Sequence, residues 1–514
     1  MVRFKRRILN KSVPRVISRK LRFLSRSLIN EEIENRTGAG IRNLFQMAGD
    51  SRKLEGYECR KILLGEPMAL VYPFRAYRYN PEIAPFDRVL TQPYDKISPA
   101  QQEKYYAADP HNLIAVEKGR TSPNDTPENN AYTRAAAALK GWIAATAVKQ
   151  DAAPAFYAYT QEYTVPGSST RRTRRGFIGA GQLEDYANNV VFRHEHTLSG
   201  PKADRLELLR HTHTHTGQLF MIYSDPEKRV DGILGEAESA EKPITEVPDE
   251  YGVVHRLWAV ADPARVAAIQ KAMAEQKLVI ADGHHRYETS LNFRNKSRTT
   301  AGKLIPDALY ERSMMTFVNT HSEGLTILPT HRVVNNVREF SWSAVRRYLE
   351  PWFATEVFSF ADDAQRKEAL ERFRTQLTEA KAQRAIGVYP AASAGSRAFY
   401  LLTLRPEADL AHILPGLSPL QRQLDVVLLH QGILEPALGV TPRAVASESN
   451  LSYEREFAGA IDAVDRGAQV AFLLNPVDVE MVVKVATSGE VMPQKSTDFY
   501  PKLLSGITMY RVGE

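Results

Sequence analysis

Residues 253–294 constrain this chain more than any other stretch. VVHRLWAV reads as a strand, Asp262 as a helix cap and Pro263 as a first helical residue. Val266, Ile269 and Met273 then fall on one helical face. Lys277 ends that helix, LVIA reads as a buried strand, Asp282-Gly283 as a turn, and 284–294 as a second helix. Strand–helix–strand–turn–helix is a βαβ-type arrangement and predicts a mixed α/β fold. A strand that ends in Asp-Gly and feeds a helix presents that helix's unpaired N–H groups and its positive dipole end at one point. Gly283 allows close approach of the backbone to a ligand. His284, His285 and Arg286 add donors there, and Arg suits bidentate phosphate contact. Asp282 could hold a hydroxyl or Mg²⁺. The pattern describes a phosphate cradle that is neither a Walker loop nor a dinucleotide fingerprint. The alternative is structural: Asp282 as a helix cap, with partly buried histidines behind it.

Three further segments carry chemistry-bearing residues. In FRHEHTLSGPKADRLELL, 192–209, Glu195 lies between His194 and His196 and is followed by Lys202, Asp204 and Arg205. The spacing is not that of a zinc protease. Glu195 could act as a general base, with Lys202 and Arg205 holding an anion, or the segment could be a charged loop before a helix. HTHTH, 211–215, offers a metal site only as a strand, and it follows a leucine-bearing helix. In GEVMPQKSTDFYPKLLSG, 489–506, Lys495 and Lys502 bracket an aromatic pair and could contact phosphate as point charges, or be solvated loop lysines.

Elsewhere, Ser98, Pro99 and Gln101 predict a capped helix over about 99–107. An Ala-rich helix is expected at 131–148, and 155–165 and 172–181 read as a hairpin. Arg171, Arg172, Arg174 and Arg175 read as its solvated tip. A second region is expected from about 336, with a helix at 363–382, strands at 385–389 and 398–403, and helices near 418–434 and 453–466.

Charge narrows the function classes. Residues 1–67 hold 16 Lys and Arg against 7 Asp and Glu, while 68–514 hold 51 against 53. A nearly balanced body lacks the basic stripe of a duplex binder, so no DNA partner is expected. The basic 1–67 extension is expected to be disordered, or upstream sequence outside the working protein, with Met68 as the natural start. No apolar run is long enough to span a membrane. The single cysteine, Cys59, allows no disulfide framework and fits a cytoplasmic setting.

With YPFRAYRYNP, PYDKIS, HEHT…PKADRLELL, IADGHHRYET, MMTFVN…GLTILPTHR and MPQKSTDFYPK in view, the chain resembles the Domain of Unknown Function family 1015 over about 71–502. The family's pattern matches His194, Glu195, Thr197, Lys202, Asp204 and Arg205. Asp282 to Arg286 also resembles the phosphate element of the ParB/sulfiredoxin-like superfamily, D-G-H-x-R in free serine kinases. That resemblance implies a ParB/sulfiredoxin-like nucleotide-binding core over 68–335 with a second α/β region over 336–514. Sulfiredoxin chemistry is excluded, because His284 stands where its reactive cysteine would be. The implied activity is kinase-like phosphoryl transfer, in either direction, between a nucleotide (ATP or ADP, with Mg²⁺) and a small hydroxylated metabolite such as serine or phosphoserine. Gly283, His284, His285 and Arg286 would hold the nucleotide phosphates. Glu195, Asp282 and His285 would carry the chemistry, and His194, Lys202, Asp204, Arg205 and Lys495 would bind the substrate. A non-enzymatic nucleotide-binding regulator and a metal-dependent hydrolase are the alternatives. Nucleotide identity, direction of transfer and oligomeric state are left open.

Overall fold

The computed structural model of the 514-residue chain describes residues 69–513, apart from 196–198 and 393–396. The expectations for 1–67 therefore lie outside the described residues. The fold is mixed α/β and is built on two large sheets.

The first sheet has nine strands: β1 (Val71–Tyr72), β2 (Phe156–Thr164), β3 (Arg171–Gln182), β4 (Val191–Phe192), β5 (Leu219–Tyr223), β6 (Thr245–Pro248), β7 (Val254–Val260), β8 (Leu278–Asp282) and β9 (Arg312–Asn319). They run in the order β4-β8-β5-β9-β3-β2-β7-β6, with β1 pairing β3. Successive strand residues point to opposite faces, and here both faces are covered. Phe156, Phe177, Met221, Ile280 and Phe317 enter one apolar cluster, together with Ile269 and Met273 of helix Pro263–Met273. Tyr157, Ile178, Phe220, Val279 and Met314 enter another. That second cluster continues into one face of the second sheet through Val334, Ile386, Leu402 and Phe472.

The second sheet has six strands: β10 (His331–Val334), β11 (Phe353–Ser359), β12 (Ile386–Pro390), β13 (Ala398–Leu404), β14 (Leu451–Glu454) and β15 (Val470–Leu474), in the order β11-β13-β12-β15-β10-β14. Helices Asp363–Glu379 and Phe457–Asp465 cover its other face through Phe373, Leu377, Ile461 and Val464.

Local signals are realised closely. Helix Pro99–Ala108 carries the Ser98–Gln101 capping box, and Asp262 accepts from Arg265 N–H at the next predicted start. The helix after Gly283 runs on to Ala301, seven residues past the expected end.

Three expectations change. First, β7 and β8 flank the predicted helix but are separated in the sheet by β5, β9, β3 and β2. Local pattern marks a crossover without saying which strands fill the gap, because strand pairing is non-local. Second, the arginine tip is not uniformly solvated. Arg171 and Arg172 are exposed and Arg175 pairs with Glu238, but Arg174 is 1 % exposed. Third, the helix predicted at 418–434 starts later, at Asp425, passes through a π-helical stretch, His430–Leu434, and continues as α-helix to Leu438. Among the described residues no helix is long and apolar enough to cross a membrane.

Candidate phosphate site

The site forms where β8 ends. Gly283 holds φ +96°, in the left-handed region where a side chain is strained. A Cβ there would also meet the Arg286 guanidinium and Leu219, each at 3.2 Å. The helix His284–Ala301 has no side-chain cap, so no capping side chain satisfies its first N–H groups at that bend. Arg286 folds back over the turn, donates to the Gln218 carbonyl, and sits 4.0 Å from Asp282 Oδ1.

Asp282 is held from the far end of the chain. Lys502 Nζ donates to Asp282 Oδ2 at 2.9 Å and lies 3.0 Å from Asp498 Oδ1. Arg455 donates to Asp498 as well. Burial alone would push the Asp282 carboxyl up, but Lys502 and Arg286 outweigh it and hold the carboxyl far below its usual range. Burial likewise works against the Lys502 ammonium, yet Asp282 and Asp498 drive it above its ordinary value. Burial and the neighbouring Lys502 charge lower the Lys96 ammonium.

Two anchors place the Lys502 segment. Buried Arg174 donates to the Tyr500 carbonyl at 3.1 Å, and Gln161 Nε2 donates to the Lys502 carbonyl at 2.8 Å. From the second sheet, Arg332 donates to the Lys495 carbonyl at 3.1 Å.

Glu195 is held by the segment that carries Lys495. Its residue bridges Met492, and its Oε1 accepts from Lys495 N–H at 3.2 Å. Burial raises its carboxyl, Lys495 opposes that, and the nearby Asp282 charge adds to the rise. Glu195 and Asp282 thus share one electrostatic environment.

The other predicted residues divide. His285 lies among Glu288, Lys202, Asp95 and Lys495, and burial lowers its basicity. Lys202 pairs with Glu288 at 2.8 Å, and the Lys495 residue is exposed. His194 and His284 stand edge-on, with ring centroids 4.7 Å apart. The His284 Nε2 accepts from His194 N–H at 3.4 Å, and His194 Nε2 contacts Thr497 Oγ1 at 2.9 Å. Burial pushes His194 down to about 4 and His284 well below its ordinary value. Both rings are therefore neutral walls. Asp204 and Arg205 turn toward the flank. Tyr132 donates to Asp204, while Arg205 bonds Asp204 and the Glu117 carbonyl and lies over the Tyr94 ring.

The sequence by itself does not mark Asp95, Lys96, Arg455 or Asp498, and it leaves Lys502 as either a phosphate contact or a solvated loop lysine. PYDKIS and KSTDFYPK contain most of them, but nothing local connects those stretches to DGHHR. The HTHTH rings diverge: His211 stacks on Tyr132, His213 meets Phe293 edge-on, and His215 stacks on Tyr510. Among the described residues no group of three or more His, Cys, Asp or Glu could hold a metal ion.

Among solved structures, the chain is similar to a conserved hypothetical protein from Pyrococcus furiosus, at 12 % identity and TM-score 0.29, covering 66 % of this chain and 91 % of that one. It is also similar to a free serine kinase in complex with AMP, at 12 % identity and TM-score 0.31, covering 66 % and 90 %. A C-terminally truncated SbnI from Staphylococcus aureus matches at 12 % identity and TM-score 0.28, covering 64 % and 85 %. No curated protein matches the chain. The family described as protein of unknown function (DUF1015) matches residues 71–427, and the chain belongs to that family.

Proposed function

We propose that this site transfers a phosphoryl group between a nucleotide, ATP or ADP, and a small hydroxylated metabolite, with serine or phosphoserine favoured. One observation carries the reading. The uncapped start of the helix His284–Ala301 follows Asp282, which Arg286 and Lys502 flank, and Glu195, whose carboxyl is of raised basicity, follows His194, whose N–H bonds His284. Phosphate oxygens would accept from the N–H groups after Gly283 and from Arg286, where the helix dipole is positive. Phosphoryl transfer asks the protein mainly to position groups and neutralise charge. Glu195 is the general base on the attacking hydroxyl, and its raised basicity suits that task. Lys495 and Lys202, both near His285, meet the substrate's carboxylate or phosphate, while His194, Asp204 and Arg205 shape the wall. The resemblance of Asp282 to Arg286 to the D-G-H-x-R of free serine kinases supports the same assignment.

Mg²⁺ fits as the nucleotide's companion rather than as a protein-caged ion. Asp282 and Asp498 are the nearby carboxylates, and Lys502 already bridges them. Bound there, it would neutralise charge on the transferring phosphates.

The test is phosphate exchange between phosphoserine or serine and ADP or ATP with Mg²⁺, alongside thermal unfolding with each nucleotide. A ligand at 100 times its dissociation constant stabilises by about 2.7 kcal/mol. Turnover and stabilisation that both vanish in Arg286→Ala are expected. Stabilisation without turnover of any hydroxylated substrate would reduce the site to a nucleotide-binding regulator. No response to any nucleotide would end the proposal.

A further inference from the structure

A cavity of about 630 Å³ lies apart from the DGHHR turn, within the range of ligand pockets. Its walls come from the hairpin turn at 165–167, the segment 325–329, helix Asp363–Glu379 and the segment 474–479. Three guanidiniums reach it: Arg172, Arg374 and Arg455. Glu456 and Asp478 also line it, and Lys381 holds Asp478 at 2.5 Å. Arg172 donates to Thr326 Oγ1 at 3.1 Å and Arg374 to the Gly167 carbonyl at 2.9 Å. Each fork has five donors, so most of that capacity faces water or a ligand.

His331, on the same wall, is 1 % exposed. The Leu474 N–H donates to its Nδ1 at 3.2 Å, which makes Nδ1 an acceptor. Burial, with Arg332 and Arg374 nearby, pushes this ring down to about 3, so it is neutral and carries its proton on Nε2. That Nε2 donor has no partner among the described residues. A buried donor left without a partner keeps its desolvation cost uncompensated. The ring also packs edge-on against Phe457, which with Ile327 forms an apolar wall.

We propose that this cavity is a second ligand site for a small organic anion. A carboxylate or phosphate head would lie against Arg172 and Arg374 and accept from His331, and the apolar body would cover Ile327 and Phe457. The inference does not rest on the phosphoryl-transfer reading. The two sites share one wall, because Arg455 lines the cavity and also donates to Asp498, which holds Lys502.

The experiment is thermal unfolding of the full chain against hexanoate, hexyl phosphate and inorganic phosphate. It is repeated in Arg172→Ala, Arg374→Ala and Arg286→Ala; Arg172 and Arg374 are exposed, so their loss spares the core. A saturable rise in unfolding temperature is expected with hexanoate or hexyl phosphate. Apparent affinity should weaken at least tenfold in Arg172→Ala and Arg374→Ala, and hold in Arg286→Ala. No saturable rise with either alkyl probe would overturn the proposal. So would a response that Arg286→Ala abolishes and Arg374→Ala keeps. Inorganic phosphate binding as tightly as hexyl phosphate would overturn the apolar half. Nucleotide binding lost in Arg286→Ala alone bears on the phosphoryl-transfer reading and leaves this one standing.

Discussion

Lys502 and Asp282 lie 220 residues apart in the chain and meet at 2.9 Å, with the Lys502 side chain only 10 % exposed. The same ammonium lies 3.0 Å from Asp498. One cation therefore ties the C-terminal segment to the strand end that opens the site. Lys502→Met would leave two carboxylates facing each other without their common partner. Breaking one side of a buried ion pair costs about 3–5 kcal/mol, and urea unfolding should show a loss of that size. A loss under 1 kcal/mol would mean that the bridge is replaced by water.

The same bridge sets a stability window. The Asp282 value is depressed, so its contribution is present above the unfolded value of about 3.9 and is lost as pH falls below it. The Lys502 value is raised, so its contribution is present below the unfolded value of about 10.4 and is lost as pH climbs beyond the folded value. Urea midpoints across pH should fall at both ends in the native protein. Lys502→Met should flatten the alkaline fall.

His194 and His331 are each 1 % exposed and are pushed by burial down to about 4 and about 3. The unfolded chain binds protons at these rings below about 6.5, and the folded chain does not until far lower. Stability is therefore complete above about 6.5 and declines toward pH 4, by at most about 1.4 kcal/mol per pH unit for each ring. Chemical denaturation at pH 7 and pH 5 measures the slope. Equal midpoints at the two values would show that these rings are already charged or solvated.

Glu195 must be a carboxylate to take a proton from a hydroxyl. Its value is raised, so the acid limb of kcat/KM should lie above the ordinary glutamate value of about 4.3. Glu195→Gln should lower kcat by about 10²–10⁴ with nucleotide binding intact. A tenfold rise in KM with kcat unchanged would assign Glu195 to holding substrate instead.

Gly324 supports the hairpin that carries Arg174. Its carbonyl accepts from Tyr163 OH at 2.9 Å, and a Cβ at 324 would fall on the backbone of Thr173 and Arg174. Gly324→Ala should destabilise by about 3 kcal/mol through overpacking against backbone that cannot move aside. Because Arg174 holds the Tyr500 carbonyl, activity should fall alongside stability.

The chain's own pattern was enough wherever the physics is local. The Ser98–Gln101 box and the Asp262 cap act within four residues, and both helices start where those caps lie. Asp282-Gly283 and the histidines after it are adjacent in sequence, so a strand end feeding a helix start was legible without a fold. The tertiary structure decided everything that depends on which distant segments meet. It set four strands between β7 and β8, buried Arg174 beneath the segment that carries Lys502, and brought Lys502 and Asp498 to Asp282. An isolated carboxylate or lysine looks the same in sequence whether it is solvated or bridged. Only burial and a partner's approach shift its charge equilibrium, and those arise when sheets pair and pack.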